Sequence, residues 1–476
     1  AKDYADVELK VARWDFVAMT CRFNGTNDCF VKLFVDGGLI VADAVSGLHA
    51  PTSCTPTSDF QIGSSYGILD GDMRYADADF DELVILNKAI SDTDVLAEYN
   101  IQSRKEVVAH FDKPNIQLDE ASSDHAIVTH GDPIIISDGV VGGCLSLDAD
   151  DYISFDMANN IGEFSQGAVM FWVRPHWPNN QGVSHTFCSM PVSIDGPNAY
   201  LAMTDGWWES AGSDRFYFIA NNQFSLRNSD VDASIPFVAN QWYHIAMTFR
   251  FDGTDNSFCR TYINGELAYT NDSPSMNTPG SCMPIGDFQI GSSKDIYDSG
   301  MRYADADFDE FYISNQILLQ DEIAHAYAMQ NGGHLKLTAD FSRAVQIDSA
   351  ADPDGLSQTG TPAVVYSDIL GGRAVSLDGN SYLSIDSDTN IGSFDEGTVM
   401  FWMRPHWDNN QGVSHAFYAM NLYNDGTDGY MAMSDGWWEP GGENRFYSIS
   451  NNQFNLACSK SDANLPFVED QWHHIA

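Results

Sequence analysis

The feature that most constrains this 476-residue chain is a repeat, because long segments return almost letter for letter about 229 residues further on. DFQIGSS at 59–65 returns at 287–293, and MRYADADFDE at 73–82 returns unchanged at 301–310. MFWVRPHWPNNQGVSH at 170–185 returns as MFWMRPHWDNNQGVSH at 400–415, and DGWWES at 205–210 as DGWWEP at 435–440. A third anchor, Trp14, Trp242 and Trp472, sits within WDFVAMT, WYHIAMT and WHHIA, so three copies are represented. The reading that follows has the C-terminal part of one module at 1–105, a complete module at 106–333 and the N-terminal part of a further module at 334–476. Residues 1–18 and 459–476 both correspond to the stretch near 229–246, so the partial copies overlap. They are therefore not expected to be two halves of one severed domain. HHIA at the end stops where its counterpart runs on as HIAMTFRF, so the natural polypeptide is expected to continue past Ala1 and Ala476.

Within the complete copy the apolar residues follow the period of strands, bounded by Gly, Asn, Asp and Pro. HIAMTFRF at 244–251 alternates, DGTDNS supplies a turn, and CRTYI at 259–263 alternates again before Asn264-Gly265 leads into ELAYT. Asn-Gly suits a type I′ turn, which needs positive φ at both central residues, and the first copy meets the same demand with Asp36-Gly37. One helix is expected, in LLQDEIAHAYAMQNGG at 318–333. Its counterpart AISDTDVLAEYN at 89–100 has Ser91 as N-cap. Helices do not alternate with strands, so the pattern points to all-β, antiparallel two-sheet jelly-roll sandwiches in tandem, each closed by one short helix.

Charge sets the class of partner. The chain carries 67 Asp and Glu against 23 Lys and Arg, a formal −44, with no cluster of basic residues. Nucleic acid and anionic membranes are excluded, because both require grouped Lys and Arg. No apolar run approaches the ~20 residues of a membrane span, so no membrane insertion is expected. With 43% hydrophobic and 12% aromatic residues the chain has the material for cores and is not a disordered acidic tail. Self-repulsion on this scale calls for screening by salt or for a bound cation, calcium being the hard ion that suits carboxylate oxygens.

Five landmarks occur in order along the complete copy. They are VVAHFD at 107–112, GGCLSLDADDYISF at 142–155, GAVMFWVRPHW at 167–177, QWYHIAMTFRFDGTDNSFCRTYINGELAYT at 241–270, and DFQIGSSKD with FDEFYISNQILLQDEI at 287–323. In order and spacing they resemble the laminin-G-like group of concanavalin A-like lectin and glucanase folds. The resemblance implies a two-sheet sandwich, frequently with one structural calcium, used for binding rather than catalysis. It also implies that Asp309, and Asp81 in the first copy, stand where the family's strand carries a calcium-ligating Asp.

Three constellations are candidates for chemistry. Asp305, Asp307 and Asp309 alternate and are expected on one strand face with Glu310 on the other, as are Asp77, Asp79 and Asp81. Crowded carboxylates need a cation, and calcium is the expected one. The glucanases that share the fold use paired Glu, which this Asp-rich strand does not reproduce, so the protein is not expected to be an enzyme. The loops HWPNNQGVSH and DGWWESAGSDRFY hold the residue types of a sugar site, namely Trp177, Asn180, Asp205, Trp207, Trp208 and Arg215. In a chain of tandem modules the same aromatics also suit packing against a neighbouring module or another copy, and that reading is preferred. His176 and His185, nine residues apart with no Cys in the motif, do not form a zinc pattern, nor do His406 and His415.

The eight cysteines are Cys21, Cys29, Cys54, Cys144, Cys188, Cys259, Cys282 and Cys458. The repeat allows one bridge per module, Cys29–Cys54 and Cys259–Cys282, with Cys21–Cys29 across a hairpin as the alternative. Bridges of this kind belong to an oxidising, extracellular or cell-surface location. Asn24-Gly-Thr and Asn271-Asp-Ser fit glycosylation sequons. The function expected from all of this is an extracellular structural or adhesive protein of tandem modules, part of a surface fibre, sheath or adhesin, its partners being neighbouring modules, copies of itself or glycans. The alternative is a secreted calcium-dependent lectin. Intact-mass analysis of the native protein should give a value above the 52.6 kDa of this chain; a mature protein of that mass would refute the continued-array reading.

Overall fold

The computed structural model describes residues 16–22, 30–35, 37–44, 53–68, 75–102, 104, 107–112, 116, 118, 120–121, 126–148, 150–177, 185–193, 198–205, 216–218, 237–251, 257–271, 280–294, 296, 302–331, 335–339, 349–350, 355–366, 373–406, 415–424, 427–435, 446–448 and 473–475. The chain divides into two compact units, one of Ser103–Gly332 and one of Ala1–Gln102 together with Gly333–Ala476. The first covers the complete copy of the sequence, and the second is assembled from the two partial copies.

In the continuous unit, two antiparallel sheets enclose one apolar core. The first runs Ile134–Ile136, Cys144–Leu147, Ala306–Ser314, Gln166–Pro175, Tyr243–Arg250, Phe258–Ile263 and Glu266–Asn271, with Val107–Ala109 also against Ala306–Ser314. The second runs Phe216–Phe218, Asn198–Asp205, His185–Ser193, Phe288–Ile290, Tyr152–Phe155 and Val128–His130. Phe171, Val173, Ile245, Met247, Phe308 and Phe311 face Phe155, Phe187, Met190, Leu201 and Ile290 across the gap, each almost fully buried. Phe171 is the hub, its ring stacked on Phe311 at 5.1 Å and near Phe308 and Phe187.

Alternation in Tyr243–Arg250 is present but masked, because every residue up to Phe249 is buried. The face turned away from the core is covered by helix α2, Gln320–Asn331, whose Tyr327 stacks on Trp172 at 5.6 Å and approaches His244. The turn chemistry is as read from the sequence: Asn264 and Gly265 have φ of 50° and 77°, and the strands pair from Ile263↔Glu266 outwards. Glycine serves a second purpose there, since a Cβ on residue 265 would lie 3.0 Å from the Tyr327 ring of α2. Helix α1, Asp92–Gln102, is capped as expected, with the Asp94 N–H donating to Ser91 Oγ and the Ser91 N–H to the Asp94 carboxylate.

The composite unit corrects the expectation that the partial copies cannot complete each other. Phe16–Arg22 pairs with Glu396–Pro405 in the register Val17↔Phe401, Ala18↔Met400, matching Ile245↔Phe171 and Ala246↔Met170 in the continuous unit. Ala78–Leu86 takes the other edge of Glu396–Pro405, and Phe60–Ile62 lies between Tyr382–Ile385 and His415–Asn424. The physical reason is that residues 1–102 carry the very strands that residues 334–476 lack, and an apolar strand with a bare edge will take them. The sequence overlap persists as a duplicated pairing: His473–Ile475 also pairs with Phe401 to Met403.

The two cores reach the same packing by different means. Phe249 and Cys188 line one cavity of about 30 Å³ between the sheets of the continuous unit. The equivalent cavity of the composite unit, about 20 Å³, has Cys21 at the Phe249 position, while Tyr418 stands at the Cys188 position. Bulk has moved from one sheet to the other, with the Tyr418 ring stacked on Phe60 at 5.1 Å and its hydroxyl reaching Met19 Sδ.

The expected disulfides are corrected. Cys259 and Cys282 are buried in the core but are not bridged, and Cys54 and Cys21 carry no bridge either; Cys29 lies outside the described residues. The Cys21 thiol donates to the Gly397 carbonyl, and burial pushes its pKa up to about 12. These side chains act as small apolar residues.

His244 is fully buried beside Trp172 and its ring nitrogens have no hydrogen-bond partner, so burial pushes its pKa down to about 3. Below its ordinary pKa of 6.5 the unfolded chain binds a proton that the folded chain refuses, so stability falls as pH drops from 6.5 towards 3, by about 1.4 kcal/mol per unit. The first copy has Phe16 at this position, paired with Trp402 as His244 is with Trp172. His244→Phe is therefore expected to spare the continuous unit about 2 kcal/mol of the loss between pH 7 and pH 5. Denaturation of both proteins at the two pH values tests this; equal losses would contradict it.

Candidate functional site

The acidic strand Ala306–Ser314 lies beside Gln166–Pro175, with Asp307 opposite Arg174 and Asp309 opposite Trp172. A bulge interrupts the pairing, and Glu310 has φ of 49° there. This corrects the expected alternation. The extra residue puts Glu310 on the same outer face as Asp309, where its carboxylate accepts from Gln330 of α2 at 2.9 Å and meets His110 Nδ1 at 2.9 Å. Phe311 is thereby returned to the core. The same bulge recurs at Glu82, φ 51°.

Asp307 is buried, and its counter-charges are protein groups. Arg174 Nε donates to Oδ2 at 2.7 Å and His176 Nε2 lies 2.9 Å from Oδ1. Burial alone would raise the Asp307 pKa, but hydrogen bonds from His176, Ser146 and Arg174 hold it below the ordinary value. The other ring nitrogen of His176 lies 3.2 Å from Asp305, so the imidazole is held between two carboxylates and its pKa is raised, first by the Asp307 bond. Arg174 also meets the exposed Asp138 at 2.5 Å and stacks over Trp242. The composite unit repeats the arrangement. Arg404 and His406 contact Asp79 at 2.6 and 3.0 Å, His406 contacts Asp77 at 3.0 Å, and despite burial the bonds to Asp79 and Asp77 lift His406 to about 9. In the sequence RPHW stands only as a landmark of its strand; that its Arg and His recur together with the Asp strand they neutralise is a matter of which strands are neighbours.

Asp309 stands apart. It is completely buried, accepts from the Val140 and Val141 N–H groups at 2.6 and 3.1 Å, and its pKa is raised well above the carboxylate range by burial and by the neighbouring Glu310 and Asp112. The backbone of 139–143 closes over it: a Cβ on Gly139 would sit 2.8 Å from Asp309 Oδ2 and one on Gly142 would sit 2.2 Å from Asp112 Oδ1. Asp112 was missed in the sequence because it lies alone at the end of VVAHFD. A buried, electronegative place of carboxylates roofed by glycine backbone suits a hard cation. Among the described residues, Asp148, His176 and Asp305 also bring one ligand atom each to within 4.8 Å of one another.

Strand register places the two loop segments at one rim. His185, which opens its strand, pairs with Asp205, which closes the next, and Asp205 pairs with Phe216. The segments 178–184 and 206–215 therefore spring from adjacent strand ends; His415, Asp435 and Phe446 repeat this. Asn180, Trp207, Trp208 and Arg215 lie outside the described residues, and Asp205 is placed by its backbone alone. Trp177 is corrected from ligand platform to core: it is buried, its indole N–H donates to the Ala304 carbonyl at 2.8 Å, and its ring stacks on His185 at 3.9 Å.

Residues 147–324 match the family model of the concanavalin A-like lectin/glucanases superfamily. No curated protein matches the chain. Among solved structures, domain 4 of AbnA, a GH43 extracellular arabinanase from Geobacillus stearothermophilus, in complex with arabinotriose, is similar at 15% identity over 46% of this chain and 97% of that one, TM-score 0.34. The botulinum neurotoxin serotype D ligand binding domain in complex with N-acetylneuraminic acid is similar at 12% identity over 80% and 98%, TM-score 0.33. The binding domain of Paraclostridial Mosquitocidal Protein 1 is similar at 12% identity over 79% and 98%, TM-score 0.31.

Removing one partner from a buried ion pair leaves an uncompensated charge, whereas removing both does not. Arg174→Ala is expected to destabilise the protein by on the order of 3 kcal/mol, with much of the loss restored by adding Asp307→Ala. Urea unfolding of the single and double variants checks this; a double variant as weak as the sum of the singles would count against the pair.

Proposed function

We propose that this is an extracellular adhesive protein without catalytic activity, whose sandwiches bind carbohydrate through the rim where segments 178–184 and 206–215 emerge. The observation that carries the reading is the register His185↔Asp205↔Phe216, which gathers both aromatic and polar segments at one strand end and does so again in the composite unit. Asn180, Trp207, Trp208 and Arg215 supply flat aromatic faces and hydrogen-bonding groups of the kind sugars need. The match of residues 147–324 to a lectin and glucanase superfamily agrees with it. A hydrolase is disfavoured by the acidic strand itself: Asp307 is bound by Arg174 and His176, and Asp309 by backbone N–H groups, which leaves neither to act on a glycosidic bond.

Calcium is the cofactor of this proposal, held at Asp309 with Asp112 and, by the repeat, at Asp81. Its task is to neutralise buried carboxylates and fix the glycine loop 139–143. Asp77, Asp79, Asp305 and Asp307 are better served by their Arg and His partners. The second reading, in which the rim aromatics pack on a neighbouring module or chain, draws on the same register and on the repeat itself.

Glycan-array binding by the intact chain, abolished by Trp208→Ala with the Tm unchanged, is the expected result; no binding to any glycan would favour the second reading. Calcium is expected to raise the Tm by several degrees. Asp309→Asn should remove that rise, while a calcium response that survives in Asp309→Asn would place the ion elsewhere.

A further inference from the structure

We propose that Asp148, His176 and Asp305 form a site for one divalent transition ion of the zinc class, which fastens three adjacent strand ends of the continuous unit. Strand register puts the three together. Leu147 and Pro175 both pair with Ala306, from the two sides of Ala306–Ser314. Asp148, His176 and Asp305 are the next residues outwards on the three strands, so they share one end of the sheet although they are far apart in the chain. The His176 N–H donates to the Asp305 carbonyl at 3.1 Å, which fixes two of the three backbones to each other. One ligand atom from each side chain then lies within 4.8 Å of the others.

The imidazole decides which ion. Calcium and magnesium are hard ions that seek oxygen, whereas ring nitrogen together with carboxylate oxygen is a zinc-class set. Support from outside the three ligands arranges His176 for this use. Its Nε2 lies 2.9 Å from Oδ1 of Asp307, which is 3% exposed and is itself held by Arg174 Nε at 2.7 Å. A carboxylate on the far nitrogen orients the ring and keeps the proton on Nε2, as in the carboxylate–histidine pairs that stand behind metal ligands. Nδ1 is then the donor, 3.2 Å from Asp305 Oδ1. Two ligands each ~2.0–2.1 Å from a tetrahedral ion are roughly 3.3 Å apart, so this pair already has the separation needed. Zinc takes the place of the proton that otherwise joins His176 to Asp305, and the two Asp carboxylates balance its charge. Asp148 is exposed, so the fourth position falls to water.

The composite unit shows what disarms the same set. Leu377 and Pro405 both pair with Ala78, which brings Asp378, His406 and Asp77 to the equivalent row. Asp378, however, is tied back to its own turn: Ser381 Oγ donates to its Oδ1 at 2.5 Å, and the Asn380 N–H donates to the same oxygen at 3.2 Å. In the continuous unit the residue at the Ser381 position is Asp151, an acceptor that cannot tie Asp148 back in this way and that takes the Asp148 and Asp132 N–H groups at 3.3 and 2.8 Å. Among the described residues no metal-ligating group forms around His406. One zinc per chain is the stoichiometry that follows.

Calorimetric titration of the full chain with zinc chloride, in excess calcium so that hard-ion sites are filled, is expected to show one specific zinc. Asp148→Asn and His176→Gln are each expected to weaken it by about tenfold or more, while Asp378→Asn leaves it unchanged. Asp148 is a surface residue, so its variant is expected to keep the fold and to report on binding alone. Cobalt in place of zinc reads the nitrogen directly: the visible absorption of a tetrahedral nitrogen and oxygen set is expected in the wild type and absent from His176→Gln. No zinc bound by the wild type, zinc displaced by the calcium, or equal affinity in the wild type and Asp148→Asn would each overturn the proposal. Equal weakening by Asp378→Asn would overturn it too, because the binding would then be general attraction to an acidic surface. None of these outcomes bears on the rim or on Asp309, so the carbohydrate reading stands or falls separately.

Discussion

Everything in each unit is arranged around one strand that has to be satisfied on four sides. Gln166–Pro175, and its equivalent Glu396–Pro405, offers two hydrogen-bonding edges and two faces that are both apolar. Its edges are filled by Ala306–Ser314 and Tyr243–Arg250, its inner face by the second sheet, and its outer face by α2 through Trp172. A strand of this kind cannot lie at a sheet margin or face water, and leaving any side open exposes several large side chains. The same demand is met in the composite unit, where the central strand takes distant residues in the register that the continuous unit uses.

Much of this was legible in the sequence because the repeat makes it redundant. The Asn264-Gly265 turn, the Ser91 cap and the two-sheet architecture follow from local rules of φ, capping and period that tertiary packing does not override. What escaped was non-local. The bulge at Glu310 has no marker in FDEF, since positive φ at a glutamate is a demand of the surrounding sheet and not a preference of the residue. Pairing of Arg174 and His176 with Asp307 required knowing which strands are neighbours, for which the sequence offers only that RPHW and ADADFDE recur together. Trp177 illustrates the opposite error. An aromatic in a polar loop motif reads as a binding platform, yet the chain turns it inward onto His185, where it supports the rim in place of decorating it.

The carboxylates of the acidic strand divide into two regimes by what they can reach. Asp305 and Asp307 lie where the neighbouring strand can present a guanidinium and an imidazole, and the pKa values of Asp307 and His176 move in the directions that strengthen their contact. Asp309, two residues on, accepts from backbone N–H groups and lies near Glu310 and Asp112, and its pKa moves the other way. A single alternating motif thus contains a structural ion-pair ladder and a buried carboxylate whose pKa is raised, and the step between them coincides with the bulge.

The ion-pair ladder has a consequence for how whole molecules meet in solution. Arg174, Arg404 and Arg104 spend their charge inward, against Asp307, Asp79 and Glu322, and leave little of it at the surface. With only 23 basic side chains against 67 acidic ones, cations withdrawn in this way make the outer skin of the protein more uniformly anionic than its composition alone suggests. Two such bodies repel over about a Debye length, ~30 Å in dilute buffer and under 10 Å in brine. Ionic strength then sets how closely two of these acidic molecules can approach one another.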